Sequence, residues 1–93
     1  MKISFEGKRA IVTGAGHGFG RAIAKAFAEN GAQVWACDVN AEGLKATREL
    51  IGKNCEVRTV NIVDQPAVTA FVAEAAGKDA VDILVNNAGG VRG

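Results

Sequence analysis

Thr13-Gly14-Ala15-Gly16-His17-Gly18-Phe19-Gly20 is the stretch of this chain best suited to chemistry. It follows the apolar run Arg9-Ala10-Ile11-Val12 and precedes a helix-period segment over 21–30. A glycine-dense turn between a buried strand and a helix can hold a phosphate. The first backbone N–H groups of the helix have no intrahelical partner, and the helix dipole favours an anion beside them. Glycine lets the chain turn tightly and lets a ligand approach the backbone. The spacing excludes two common phosphate motifs. A G-x-G-x-x-G fingerprint started at Gly14 needs its third glycine at Phe19, and one started at Gly16 needs it at Arg21. No Gly-Lys-Ser/Thr follows the turn, so it is not a Walker loop. A merely flexible loop is the competing reading, and the position between strand and helix favours the phosphate.

Asp38 lies about 20 residues past the turn, at the end of a second apolar run. A carboxylate there can accept hydrogen bonds from a ribose diol and repels a 2′-phosphate, which argues for NAD over NADP. Val39 and Asn40 supply no arginine to hold such a phosphate. The alternative is an aspartate that caps or turns the chain after a strand. A third element, Val85-Asn86-Asn87-Ala88-Gly89-Gly90, offers asparagines that can satisfy loop backbone and small residues that leave room for a ligand. By itself it reads as a turn.

The elements that must position these residues alternate strand and helix. Strands are expected over 9–13, 33–38, 56–62 and 81–86. The first helix starts near Gly18 with Phe19, Ile23, Ala26 and Phe27 on one face, and Gly31 ends it. The second runs from an Asn40 cap to Gly52, with Leu44, Thr47 and Ile51 inward. The third follows Asp64, takes Pro66 in its first turn, shows Val68, Phe71, Val72 and Ala75, and stops at Gly77. Helical crossovers imply parallel strands and right-handed connections. The expected fold is α/β, a partial Rossmann-type parallel sheet of four strands in the order 3-2-1-4 with three helices. Its ligand lies where strands one and four diverge. Trp35 is expected to pack under a helix.

Composition narrows the function classes. Ninety-three residues allow one small domain, and a net charge of +1 offers no basic field for nucleic acid. Cys37 and Cys55 lack metal-ligand spacing and read as reduced thiols in or near strands, so no metal is expected. No apolar run approaches the roughly 20 residues of a membrane span, and no signal-peptide core is visible, which makes the cytoplasm the expected setting.

Taken together, the TGxxxGxG turn over 13–20 and the Asn86-Asn87-Ala88-Gly89 element resemble the short-chain dehydrogenase/reductase family. Phe5-Glu6-Gly7-Lys8 and Val81-Asp82-Ile83-Leu84-Val85 are also similar to it. The resemblance implies that Gly14, Gly18, Phe19 and Gly20 border the pyrophosphate and adenosine of NAD. It implies that His17 sits near the adenine-side ribose, that Asp38 binds the ribose hydroxyls, and that Val39 lies beside the adenine. Asn61 and Ile62 stand where many members carry Asp-Val against the adenine. The asparagine keeps an acceptor there without the charge. Asn87, Ala88 and Gly89 are implied to line the nicotinamide-side ribose. NADP-dependent members often carry a base at the His17 position. A histidine is only partly charged near neutrality, so Asp38 outweighs it and His17 is read as an exposed loop residue with no catalytic role.

The family's reaction needs a tyrosine, assisted by a lysine one turn along and by a serine. The chain contains no tyrosine, so no catalytic residue is expected within it. The expectation is that residues 1–93 form the N-terminal dinucleotide-binding part of a longer enzyme. That enzyme would be a homo-oligomer moving hydride between nicotinamide and a small alcohol or carbonyl substrate. Two alternatives stay open: a non-catalytic NAD or adenosine-nucleotide module, and a fragment that pairs through its open sheet edge.

Overall fold

Near-continuous apolar runs, Ala10-Ile11-Val12 and Val34-Trp35-Ala36-Cys37, send successive side chains to opposite sides and so supply two buried faces. The structure, a computed structural model, describes residues 4–77 and 81–86. Four strands, β1 (Arg9–Thr13), β2 (Gln33–Asp38), β3 (Cys55–Thr59) and β4 (Ile83–Val85), alternate with α1 (Gly18–Glu29), α2 (Ala41–Ile51) and α3 (Gln65–Ala76). The sheet order is β3-β2-β1-β4, and every pairing is parallel. This is the expected Rossmann-type 3-2-1-4 arrangement. In register, Thr13 lies opposite Cys37 and Val12 opposite Val85, so the carboxyl ends of three strands finish level with one another.

Even-numbered residues of β1 and β2 (Ala10, Val12, Val34, Ala36) form one core with Ala24 of α1, Leu44 of α2 and Cys55 of β3. Odd-numbered residues (Ile11, Cys37) face Phe71 and Ala75 of α3 on the other side. Trp35 packs under α3 as expected, edge-to-face with Phe71 at 6.4 Å between ring centroids. The Arg58 guanidinium lies 4.9 Å over its ring and is paired with Glu74 of α3. Both cysteines are free and buried.

Asn40 and Asp64 cap α2 and α3, accepting from the Gly43 and Ala67 N–H groups at 3.0 and 3.2 Å. Pro66 lies in the first turn of α3, where its missing N–H leaves no bond unmade. Gly31, just past α1, has φ of 103°, and a Cβ there would press on Glu6.

Four boundaries or faces differ from the sequence reading. β3 ends at Thr59 rather than Ile62, because its partner β2 ends at Asp38. The Val60 N–H makes one last bond to the Asp38 carbonyl, and Asn61 then opens a turn. β4 is shorter than 81–86. Asp82 is already fastened to Arg9, donating its N–H to the Arg9 carbonyl and accepting the Arg9 N–H on its carboxylate, but the ladder itself covers only Ile83–Val85. The inward face of α1 is Gly20, Ile23, Ala24, Phe27 and Ala28. Phe19 is 74% exposed and Ala26 also faces solvent. Val72 of α3, expected inward, is exposed as well.

Candidate functional site

The glycine turn leaves β1 and enters α1 over four residues, and its conformation explains its composition. Gly14 and Gly18 have φ of 67° and 55°, values that carry strain for any residue with a Cβ. Gly16 lies so close to Asp38 that an added Cβ would stand 2.9 Å from its Oδ2. The Ala15 N–H donates to the Cys37 carbonyl at 3.1 Å, which stitches the turn to the end of β2.

His17 is the N-cap of α1 in extended conformation, and no side chain among the described residues caps this helix. Its first turn also carries no acidic residue. α2 and α3 are both capped by side chains, so α1 is the helix that offers its amino-terminal N–H groups to an incoming anion. Gly18 and Gly20 belong to this first turn. Phe19 projects from it into solvent, at the border of the site and outside the core.

Asp38 is the last residue of β2 and only 7% exposed. Its Oδ2 accepts from the Gly16 N–H at 2.9 Å and its Oδ1 from the Asn40 N–H at 3.0 Å. Each carboxylate oxygen has two acceptor positions, so both keep capacity for a hydroxyl pair. The His17 Nδ1 is 3.7 Å from Oδ2, with the imidazole mostly in solvent. Val39, beside it, is 62% exposed. The structure thus brings Gly14, His17, Gly18, Gly20, Asp38 and Val39 to one edge, at the carboxyl ends of β1 and β2.

Asn61 is exposed and its side-chain oxygen accepts from the Val63 N–H at 3.1 Å, shaping the turn that leads to α3. Ile62 is half-buried and lines a cavity of about 210 Å³ with Thr13, Val60 and Leu84, between α3 and the carboxyl ends of β1 and β4. Across that crevice the Thr13 hydroxyl bonds the Asn86 side-chain oxygen at 3.0 Å. Asn87, Ala88 and Gly89 lie outside the described residues. A larger open groove of about 810 Å³, lined by Arg9, Gln33, Glu56 and Asp82, sits at the amino ends of the strands, away from the glycine turn. Ligands of open parallel sheets bind at the carboxyl ends, so this groove is not the candidate site.

Cys37 borders the turn, but it is no nucleophile. Burial, the Asp38 charge and, in opposition, the Gly14 N–H leave its pKa pushed up to about 11 from an ordinary 9.0.

Sequence reasoning missed three participants, Arg21, Thr47 and Gly43. Arg21 donates Nε–H to the Thr47 hydroxyl at 2.8 Å and Nη2–H to the carbonyls of Gly16 and Gly43, at 2.5 and 3.0 Å. The fully buried Thr47 hydroxyl lies 2.7 Å from the Ala15 carbonyl oxygen. A Cβ on Gly43 would overlap the Gly16 carbonyl oxygen. One signal was available: a threonine on the inward face of α2 must find partners for its hydroxyl.

Residues 8–93 match the family model described as short chain dehydrogenase. The chain is 39% identical to a sorbitol dehydrogenase of Cereibacter sphaeroides over 84 residues, covering 89% of this chain and 33% of that protein. It is 39% identical to the 3-oxoacyl-(acyl-carrier-protein) reductase FabG of Escherichia coli strain K12, covering 94% of this chain and 36% of that protein. Its fold superposes on a hydroxysteroid dehydrogenase of Escherichia coli with a TM-score of 0.86 at 40% identity, over 94% of this chain and 39% of the other. A 3-ketoacyl-(acyl-carrier-protein) reductase from Brucella melitensis, solved in complex with NADH, matches with a TM-score of 0.80 at 40% identity, over 87% of this chain and 34% of the other. The chain therefore spans about a third of the length of the curated relatives it matches.

Proposed function

The chain belongs to the short chain dehydrogenase family, and from that membership we propose that residues 1–93 are the N-terminal, NAD(H)-binding part of a longer oxidoreductase. That enzyme transfers a hydride between nicotinamide and a small alcohol or carbonyl substrate. The nicotinamide supplies the hydride chemistry, and these residues supply its position.

The observation that carries the reading is the joining of Asp38 to the glycine turn. Its carboxylate is held by the Gly16 N–H beside the uncapped start of α1, so a diol acceptor and a phosphate cradle share one edge. In this reading Gly14, Gly18 and Gly20 let the pyrophosphate approach the backbone, with Phe19 at its border. Asp38 takes the adenosine ribose hydroxyls, with His17 alongside. Val39 and Ile62 flank the adenine, and Asn61 offers it an acceptor. Asn87, Ala88 and Gly89 serve the nicotinamide-side ribose. The carboxylate disfavours a 2′-phosphate by charge repulsion, and neither Val39 nor Asn40 carries a compensating cation. Two free, buried thiols fit a reducing compartment, the cytoplasm.

Titration calorimetry of the full chain with NADH and NADPH tests this. NADH binds the more tightly, and Asp38→Ala weakens NADH by about tenfold or more while leaving NADPH much less affected, because charge-assisted hydrogen bonds are lost. Equal losses for the two dinucleotides would show that the carboxylate does not meet the ribose.

A further inference from the structure

We propose that Arg21 and Thr47 are positioning residues, a clamp that fixes the Ala15 and Gly16 peptides against α2 and so aims the His17 N–H outward, at the phosphates of the dinucleotide. The cofactor part of this inference rests on the proposed function. The clamp itself rests on the bonding pattern. The Thr47 hydroxyl has one proton, and the nearer of its two carbonyl neighbours is Ala15 at 2.7 Å, with Gly43 at 3.0 Å. Arg21 donates to that hydroxyl through Nε and serves both the Gly43 and Gly16 carbonyls through Nη2. Two consecutive carbonyls of the turn are thereby held against one helix.

A trans peptide points its C=O and N–H in opposite directions. Pinning the Ala15 carbonyl toward Thr47 sends the Gly16 N–H the other way, where it meets Asp38 at 2.9 Å. Pinning the Gly16 carbonyl toward Arg21 likewise turns the His17 N–H away from α2, toward the open side of the turn. The absent Cβ of Gly43 lets the two backbones approach closely enough for this. The clamp acts directly on the turn, and on the ribose acceptor only through the Gly16 N–H, so its main effect falls on the part of the cofactor that NADH and NADPH share.

The test uses the full chain with Thr47→Val, Thr47→Ser and Arg21→Lys. Amide hydrogen exchange without cofactor is read at residues 14–18, and NADH and NADPH affinities are read by calorimetry. Thr47→Val raises exchange in the turn about tenfold and weakens both dinucleotides by a similar factor, whereas Thr47→Ser restores both readings. Arg21→Lys, which lacks the guanidinium fork, produces the same pattern and carries the test should Thr47→Val not fold. Turn exchange at the unsubstituted rate in the folded variants would overturn the clamp. So would a loosened turn with both affinities unchanged, or a loss confined to NADH. If the unsubstituted chain bound neither dinucleotide, the proposed function would fall, and the exchange measurement would still decide the clamp.

Discussion

The two faces of the sheet are made from alternate residues of the same strands, yet they are finished differently. On the α1–α2 face, Ala10, Val12, Val34, Ala36, Leu44 and Cys55 are all at or below 1% exposure. On the α3 face, Ile11 and Cys37 are equally buried, but Leu84 is 64% exposed and Val72 37%, beside the cavity of about 210 Å³. The polar network of the candidate site belongs to the finished face. Asp38, Arg21 and Thr47 link the glycine turn to α2, while α3 contributes no bond to it among the described residues. The proposed phosphate and ribose positions thus rest on tightly packed structure, and among the described residues the neighbouring crevice is only partly walled. Among the described residues, two helices cover one face of the sheet and one covers the other.

Core truncation gives the largest contrast. Leu44→Ala should cost about 3 kcal/mol, the usual loss for a fully buried leucine, while Leu84→Ala should stay within about 0.5 kcal/mol. Denaturant unfolding of both variants checks this, and comparable losses would mean the α3 face is covered in solution. The thiols come next, one for each face. Burial is the leading cause for both, and both are pushed up to about 11 from 9.0. Each folded state holds its proton more tightly than the unfolded chain does. Stability is therefore complete below about pH 9 and declines as pH rises toward about 11, by roughly 2 kcal/mol per thiol. Unfolding at stepped pH should show the decline, and Cys37→Ala and Cys55→Ala should each remove one share. An undiminished slope in Cys37→Ala would show that water already reaches the α3 face. The helix caps give the smallest effect. Asn40→Ala and Asp64→Ala should each cost about 1 kcal/mol, and α3, with less packing to hold it, should fray first by amide exchange in Asp64→Ala.

Helix number and the caps at Asn40 and Asp64 were legible in the sequence, because each has a local cause: a glycine, a capping side chain, or an apolar period; strand order followed from the Rossmann-type arrangement that alternating strands and helices imply. Asp38 and the glycine turn were legible by their spacing. The ends of β3 and β4 were not, since a strand stops where its partner stops, and that is a property of two segments. The inward face of α1 was ambiguous for a related reason. Phe19, Ile23, Ala24, Ala26, Phe27 and Ala28 wrap most of the helix in apolar residues, and only the sheet beneath selects among them. Arg21 was out of reach altogether, because its partner Thr47 is 26 positions away and the bond exists only once α1 and α2 lie side by side.

Trp35 is the one tryptophan of the chain, and it sits between Phe71 of α3 and the guanidinium of Arg58. The molecule therefore carries a single indole reporter, placed on the α3 side of the sheet. Indole emission follows the docking of α3 and the Arg58 stack, and it has no direct contact with the clamp or with Leu44. An optical melting curve of this protein is a view of one face, and it can be set against a backbone-sensitive probe to learn whether the two faces come apart together.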